Sequence, residues 1–140
     1  MSEKGFRLTI LTEEKAVVDE TVVSVTVPGT EGYLGIWRDH APLVTELQPG
    51  KLTLVKTRPD HEVNYAVSGG FLEVSRNVVT ILADAVEKVD EIDLDRAEAA
   101  IRRARQEMES LGEKLDRSRA ELALRRAKNR AKLAKEAGRK

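Results

Sequence analysis

The sequence predicts a β + α protein: an N-terminal antiparallel β-sandwich, or flattened barrel, followed by a C-terminal two-helix hairpin. Three observations predict it. Every proline, every aromatic and seven of the nine glycines lie before residue 72. In that first part apolar and polar residues alternate with period two, as in Val23-Ser24-Val25-Thr26-Val27, the mark of a sheet with one buried face. After Asp84 the chain runs in charge, alanine and leucine with no proline or aromatic, and the apolar spacing becomes helical. The expected division is 1–86 for the β domain and 87–140 for the helical hairpin.

Strands are expected over 6–12, 15–19, 22–27, 33–36, 51–56, 62–66, 71–74 and 78–83. Pro28-Gly29, Gln48-Pro49-Gly50, Arg58-Pro59-Asp60, Ser68-Gly69-Gly70 and Arg76-Asn77 punctuate them as turns. Strands this short and this evenly spaced point to a sandwich or flattened barrel. No Gly-rich loop opens a helix, which excludes dinucleotide-binding and P-loop designs.

From Leu94 the positions Leu94, Ala97, Ile101, Ala104, Met108, Leu111 and Leu115 step alternately by three and four. This narrow stripe suits packing against one other helix. Asp93 can cap the start. The stripe then fails at Ser118 and Arg125, next to Gly112 and a Ser118-Arg119-Ala120-Glu121 segment of capping-box form. A second stripe runs through Ala120, Leu124, Ala127, Ala131 and Ala134. Helices are therefore expected over 93–111 and 118–136; the rival is one extended helix with a local stutter. An alanine seam buries little area, so at roughly 25 cal/mol per Å² the hairpin gains only a few kcal/mol. Ordering entropy offsets much of that, and a marginal element of this kind suits a switch.

Composition removes several functions. The 140 residues contain no cysteine, hence no disulfide or thiolate metal site. His40 and His61 stand without metal-ligand spacing, and neither metal nor catalytic residues are expected. The N-terminus has no apolar leader, and no run approaches the ~20 apolar residues of a membrane span. Net charge is zero, but residues 1–83 carry 8 Lys/Arg against 11 Asp/Glu, residues 84–115 carry 6 against 10, and residues 116–140 carry 10 against 3. Antiparallel helices from the last two stretches would attract each other. A tail of net charge +7 would also suit nucleic acid, so a basic helical nucleic-acid-binding module is the alternative. The lack of aromatics after Phe71 deprives it of stacking platforms.

Four constellations bear on chemistry. Gly32-Tyr33-Leu34-Gly35-Ile36 with His40-Ala41-Pro42-Leu43 reads first as turn geometry, with His40 satisfying a loop carbonyl. Ser68-Gly69-Gly70-Phe71 is no nucleophile elbow, and a hairpin turn is expected there. Asp84, Glu87, Asp90, Glu91, Asp93 and Asp95 lack the spacing and glycine of a calcium loop, so a solvated acidic linker is expected. The arginines allow two readings. Arg96 and Arg103 share a face of helix one, and Arg126 and Arg130 a face of helix two. Closed antiparallel, these guanidiniums could converge near Asp93 and hold a triphosphate through bidentate contacts. The other reading, commoner among charged helices, is surface pairing such as Glu98 with Arg102 and Glu121 with Arg125.

Thr30-Glu31-Gly32-Tyr33-Leu34-Gly35-Ile36, His40-Ala41-Pro42-Leu43, Leu47-Gln48-Pro49-Gly50, Val67-Ser68-Gly69-Gly70-Phe71-Leu72-Glu73-Val74 and Val78-Val79-Thr80-Ile81-Leu82 together resemble the epsilon subunit of bacterial F-type ATP synthase. Ala120-Glu121-Leu122-Ala123 and Arg126-Ala127-Lys128-Asn129-Arg130 continue the likeness over essentially the whole chain. The resemblance implies a non-catalytic subunit whose β-sandwich sits against the gamma subunit and the c-ring, at the cytoplasmic face of the bacterial membrane. It also implies a helical domain that permits ATP hydrolysis when folded and inhibits it when extended into the alpha/beta head. In some members the folded hairpin binds ATP as a regulatory ligand through an Ile/Leu-Asp-x-x-Arg-Ala motif and later arginines, and here Ile92-Asp93-Leu94-Asp95-Arg96-Ala97 has that form. The implied ATP contacts are Glu87, Ile92, Asp93, Arg96, Ala97, Arg103, Arg126 and Arg130, with Glu87 and Asp93 toward adenine or ribose and the arginines on the phosphates. Whether magnesium accompanies the nucleotide stays open. The basic positions Lys132, Lys135, Arg139 and Lys140 suit docking on an acidic surface in the extended form.

Overall fold

The computed structural model describes residues 5–56, 61–110 and 114–138, with 114–116 by backbone alone. The chain divides into two compact units, Met1–Lys88 and Val89–Lys140.

The first unit contains β1 (Phe6–Leu11), β2 (Ala16–Val22), β3 (Ser24–Gly29), β4 (Gly32–Ile36), β5 (Leu43–Val55), β6 (Glu62–Ser75), β7 (Val78–Ala83) and β8 (Val86–Lys88). They form one sheet in the order β2-β1-β7-β6-β5-β3-β4, with β8 on β6. Every pairing is antiparallel except β1 with β7. Strands β2 and β4 end the sheet and do not pair with each other, so it is not closed into a barrel. Period-two alternation places Phe6, Leu8 and Ile10 of β1, and Val79 and Ile81 of β7, in one core with Val25, Val27, Ile36, Leu52, Leu54, Leu72 and Val74.

The two long strands correct the sequence reading. Gln48-Pro49-Gly50 and Ser68-Gly69-Gly70, expected as turns, lie inside β5 and β6 and face each other, Pro49 opposite Ser68 and Leu47 opposite Gly70. Across this stretch the core-facing set on β5 passes from Leu47 to Leu52 and Leu54, and on β6 from Tyr65 and Val67 to Leu72 and Val74. Both strands thus change parity together while their register holds. Gly69 and Gly70 take φ of 113° and 137° to make the change, a region open chiefly to glycine. In sequence such a parity break looks like a strand end. The expected turn at Arg76-Asn77 is present, with both residues at positive φ; the one at 58–60 lies outside the described residues.

The acidic linker is also revised. Val86–Lys88 pairs with β6, and a 3-10 turn over Val89–Glu91 follows, with Val89 and Ile92 buried. Asp84, Asp90, Glu91, Asp93 and Asp95 are exposed as expected, but Glu87 is half-buried on β8. Val89 and Ile92, three apart, bury their side chains while every carboxylate of this segment but Glu87 stays in water.

In the second unit α1 (Leu94–Ser110) packs along α2 (Lys114–Glu136), a hairpin rather than one extended helix. Asp93 caps α1: its Oδ1 accepts the Arg96 N–H at 3.1 Å and its carbonyl accepts the Ala97 N–H at 3.0 Å. The expected start of helix two at 118 is corrected, because α2 begins at Lys114 and Ser118 lies inside it. Glu121 instead pairs with Arg117 one turn earlier, at 3.7 Å. Gly138, at φ 88°, closes α2 in the left-handed conformation. The stripe residues Leu111 and Leu115, and Gly112, lie outside what is described of side chains. The seam is small: among the described residues, Ala97 and Ala104 on α1, and Ala120, Ala127, Ala131 and Ala134 on α2, are its buried members.

Candidate functional site

The hairpin sorts its arginines by the position of their alanines. Arg96 and Arg103 each precede a buried α1 alanine, Ala97 or Ala104; Arg126 and Arg130 each precede a buried α2 alanine, Ala127 or Ala131. One residue before a seam position lies about 100° around the helix from it. In an antiparallel pair, that rotation carries both helices' residues to the same side of the seam. All four guanidiniums therefore belong to one side of the hairpin. Helix α2 also runs back alongside the 3-10 turn at Val89–Glu91, which sets Arg130 and Arg126 at the end where α1 starts. Arg96 and Arg103 are exposed, while Arg126 and Arg130 are half-buried.

This end has a defined chemistry. The start of α1 presents the positive pole of the helix, and Asp93 answers it, with one carboxylate oxygen committed to the Arg96 N–H. Ile92, 2% exposed, and Ala97, fully buried, are packing residues that fix the register of the charged ones. Of the eight residues implied by the resemblance, seven thus sit on the hairpin. Glu87 stands on β8 of the other unit.

The β unit carries a different surface. Phe71 and Leu82 are direct neighbours across β6 and β7, and Glu46 flanks Phe71 on β5. The adjacent row runs Val44, Glu73, Thr80. Val44, Phe71 and Leu82 are each more than half exposed and, with Glu73 and Thr80, line a shallow depression of about 240 Å³. Sequence reading missed this patch; its signal is that β7 and the end of β6 are apolar on both faces, through Val78, Leu82 and Phe71.

On the outer face of the sheet Arg7 and Asp19 form a diagonal bidentate pair, Nε to Oδ1 at 3.0 Å and Nη2 to Oδ2 at 3.1 Å. The hydrogen bond from Arg7 holds the Asp19 carboxyl below its ordinary range, and the bond to Asp19 raises Arg7. His40 does what turn geometry implies: its Nδ1–H donates to the Ala41 carbonyl at 2.7 Å. Among the described residues no group of acidic or imidazole side chains could hold a metal ion, and no helix is long and apolar enough to cross a membrane.

Comparison with known proteins agrees with both units. The family described as the ATP synthase delta/epsilon chain, beta-sandwich domain, matches residues 5–89, and the corresponding long alpha-helix domain matches residues 90–135. The chain is 47% identical over 106 residues to an ATP synthase epsilon chain of Protochlamydia amoebophila, covering 75% of this chain and 71% of that one. It is 50% identical over 102 residues to the epsilon chain of Herpetosiphon aurantiacus, covering 73% and 74%. Among solved structures it resembles a chain of the Euglena gracilis mitochondrial ATP synthase OSCP/F1/c-ring assembly, with a TM-score of 0.76, 26% identity, and coverage of 96% and 81%. A chain of the Tetrahymena thermophila mitochondrial ATP synthase central stalk and c-ring shares the fold, with a TM-score of 0.71 at 17% identity over 91% and 95%. With a sandwich unit and a helical hairpin each matched over nearly its full length, the chain belongs to the ATP synthase delta/epsilon chain family, as an epsilon-type, non-catalytic member.

Proposed function

We propose that the chain couples the rotor shaft to the c-ring of a proton-translocating rotary ATP synthase, and that its hairpin is an ATP-gated brake on hydrolysis. The β unit is the seat: the exposed Val44, Phe71 and Leu82 give it an apolar face for the gamma subunit, peripheral to the membrane at its cytoplasmic side. The observation that carries the regulatory reading is the four arginines on one side of an alanine-seamed hairpin. Folded, the hairpin offers Arg96, Arg103, Arg126 and Arg130 to the phosphates of ATP, with Ile92, Asp93 and Ala97 setting their register. Extended, it separates the two arginine pairs, loses the nucleotide and enters the alpha/beta head.

The thermodynamic logic is linkage. A ligand that binds only the folded hairpin stabilises it by RT ln(1 + [L]/Kd), about 2.7 kcal/mol at a hundredfold excess over Kd. That is comparable to what an alanine seam supplies, so ATP decides the conformation. Magnesium enters as a second variable of the same titration. Calorimetric titration of the purified chain with ATP, with and without magnesium, tests the reading: a saturable heat is expected, strongly weakened in Arg126→Ala. No binding at millimolar ATP, or binding indifferent to that substitution, would sink it.

A further inference from the structure

The rule that gathers the four arginines selects a fifth. Arg119 precedes Ala120, a buried seam residue of α2, so it stands on the same side of the hairpin as Arg126 and Arg130. Height along the seam follows from the helix ends. Helix α1 stops at Ser110 and α2 starts at Lys114, and counting away from these ends brings Arg119 level with Arg105, and Arg126 and Arg130 level with Glu98 and Leu94. The same count puts Ala134 level with Asp90, in keeping with the contact of α2 with the 3-10 turn. The guanidiniums thus fall into two groups. Arg126 and Arg130 flank Arg96 near the start of α1, and Arg119 joins Arg103 about 12 Å farther along the axis, at the helical rise per residue.

Between the two groups this side carries only methyl groups. Ala100, half-buried, and Ala123, exposed, precede the stripe residues Ile101 and Leu124 and so share the arginine side. By the same count Ala123 is level with Ile101, so the two alanines lie together and leave an open path from one arginine group to the other. Carboxylates close the α1 row at both ends: Asp93 stands before Arg96 and Glu107 after Arg103, both exposed and about 21 Å apart along the axis. Every aromatic of the chain lies before residue 72, so the hairpin has no ring on which a base could stack. What this side offers a ligand is phosphate recognition, through guanidiniums whose paired N–H groups match phosphate oxygens.

A nucleotide covers part of that path. Three phosphoryl groups are shorter than the separation of the two arginine groups, so ATP seated on Arg96, Arg126 and Arg130 draws in the long side chain of Arg103 and leaves Arg119 beyond its last phosphate. A linear chain of more phosphoryl groups carries a charge on every unit and continues over the alanines to Arg119. A nucleic-acid strand spaces its charges with sugars and needs the stacking platforms that the hairpin lacks.

We propose that inorganic polyphosphate is a second ligand of the hairpin, laid along the arginine side between Asp93 and Glu107 and bridging both arginine groups. The proposal rests on the ATP-binding reading of that side and names a further ligand class for it. Bound only by the folded form, polyphosphate closes the hairpin by the same linkage as ATP, so a phosphate store keeps hydrolysis permitted when ATP falls. Its affinity should drop more steeply with salt than that of ATP, because a longer polyanion releases more counterions on binding.

The test titrates the purified full chain with ATP, pyrophosphate, tripolyphosphate and a medium-chain inorganic polyphosphate by calorimetry, and follows hydrogen exchange of α1 and α2 in each complex. Affinity is expected to rise from pyrophosphate through tripolyphosphate to the medium-chain polymer, which should slow exchange in both helices. In Arg119→Ala the ratio of medium-chain polyphosphate affinity to ATP affinity should fall about tenfold, the loss of one charge-assisted phosphate contact, and R119K should restore part of it. Ala123→Glu, which sets a carboxylate in the path, should weaken polyphosphate binding by a similar factor and makes the comparison if R119A folds poorly. ATP binding without polyphosphate binding, or an affinity ratio unmoved by these substitutions, overturns the proposal and leaves the nucleotide reading standing. Polyphosphate binding without ATP binding does the reverse, and binding of neither removes both. Equal protection of the helices by an oligodeoxynucleotide of the same total charge would assign the side to nucleic acid and overturn the proposal as well.

Discussion

Replacing Ala127 by glycine is the sharpest probe of the helical unit. Ala127 is 4% exposed in the middle of α2, so its methyl group lies in the seam. Losing one buried methyl costs about 0.8 kcal/mol, and glycine in a helix interior costs a further ~1 kcal/mol. The sum, about 2 kcal/mol, is a large share of a seam whose buried members, among the described residues, are six alanines; it should raise the opening equilibrium roughly 20-fold. Hydrogen exchange resolved by peptide reads this directly. Amides of α1 and α2 should exchange about 20-fold faster in A127G, while those of β6 and β7, in the other compact unit, should keep their protection. On the proposed linkage, in which ATP binds only the closed form, saturating ATP should recover much of the lost protection. Unchanged exchange in α2, or equal acceleration in β6 and β7, would refute the idea of a separately and weakly held hairpin.

Three further outcomes are expected. Gly70→Ala forces a Cβ at φ 137° toward the Leu82 carbonyl oxygen and to 2.9 Å from Ala83 Cα, so the β unit should lose about 3 kcal/mol or more, read as a lowered midpoint in denaturant. Asp93→Ala should cost α1 about 1 kcal/mol in hairpin stability; on the proposed ATP site, Asp93→Ser should restore the cap but not nucleotide affinity, which separates capping from the proposed contact in one melting and one binding experiment. In Arg7→Ala, NMR titration should find the Asp19 pKa moved up toward the ordinary carboxylate range. The sign follows from linkage: a carboxyl depressed in the native state contributes stability above its unfolded pKa and loses it as pH falls through the native value, so the parent chain should surrender this small increment only in acid, and R7A should not show it.

The sequence carried the fold class and the hairpin because both rest on local periodicity. Phe6, Leu8 and Ile10 alternate along one strand, and Leu94, Ala97, Ile101 and Ala104 step along one helix; each pattern is complete within a dozen residues. What escaped was set by distant partners. Leu47 and Gly70 face each other across the parity change, and neither segment alone says that its neighbour bends with it. The start of α2 at Lys114 escaped for a related reason, since Ser118 and Glu121 satisfy a capping pattern that the tertiary seam overrides. The arginine side was visible as spacing, yet only the buried alanines show which side of each helix faces its partner. The Phe71–Leu82 patch needed the cross-strand register, because exposed apolar residues look like core in one dimension.

The paired bend in β5 and β6 has a mechanical consequence. Two strands of 13 and 14 residues cross it with unbroken register, so the halves of the sheet on either side share backbone and a hydrogen-bond ladder as well as a greasy interior. An ordinary sandwich resists sliding of its layers only through side-chain packing. Here any sliding would have to break ladder bonds in series with covalent chain. A body of this kind transmits a sideways pull as a stiff bracket does, which suits a part that must turn with a shaft while something else holds on to its far face.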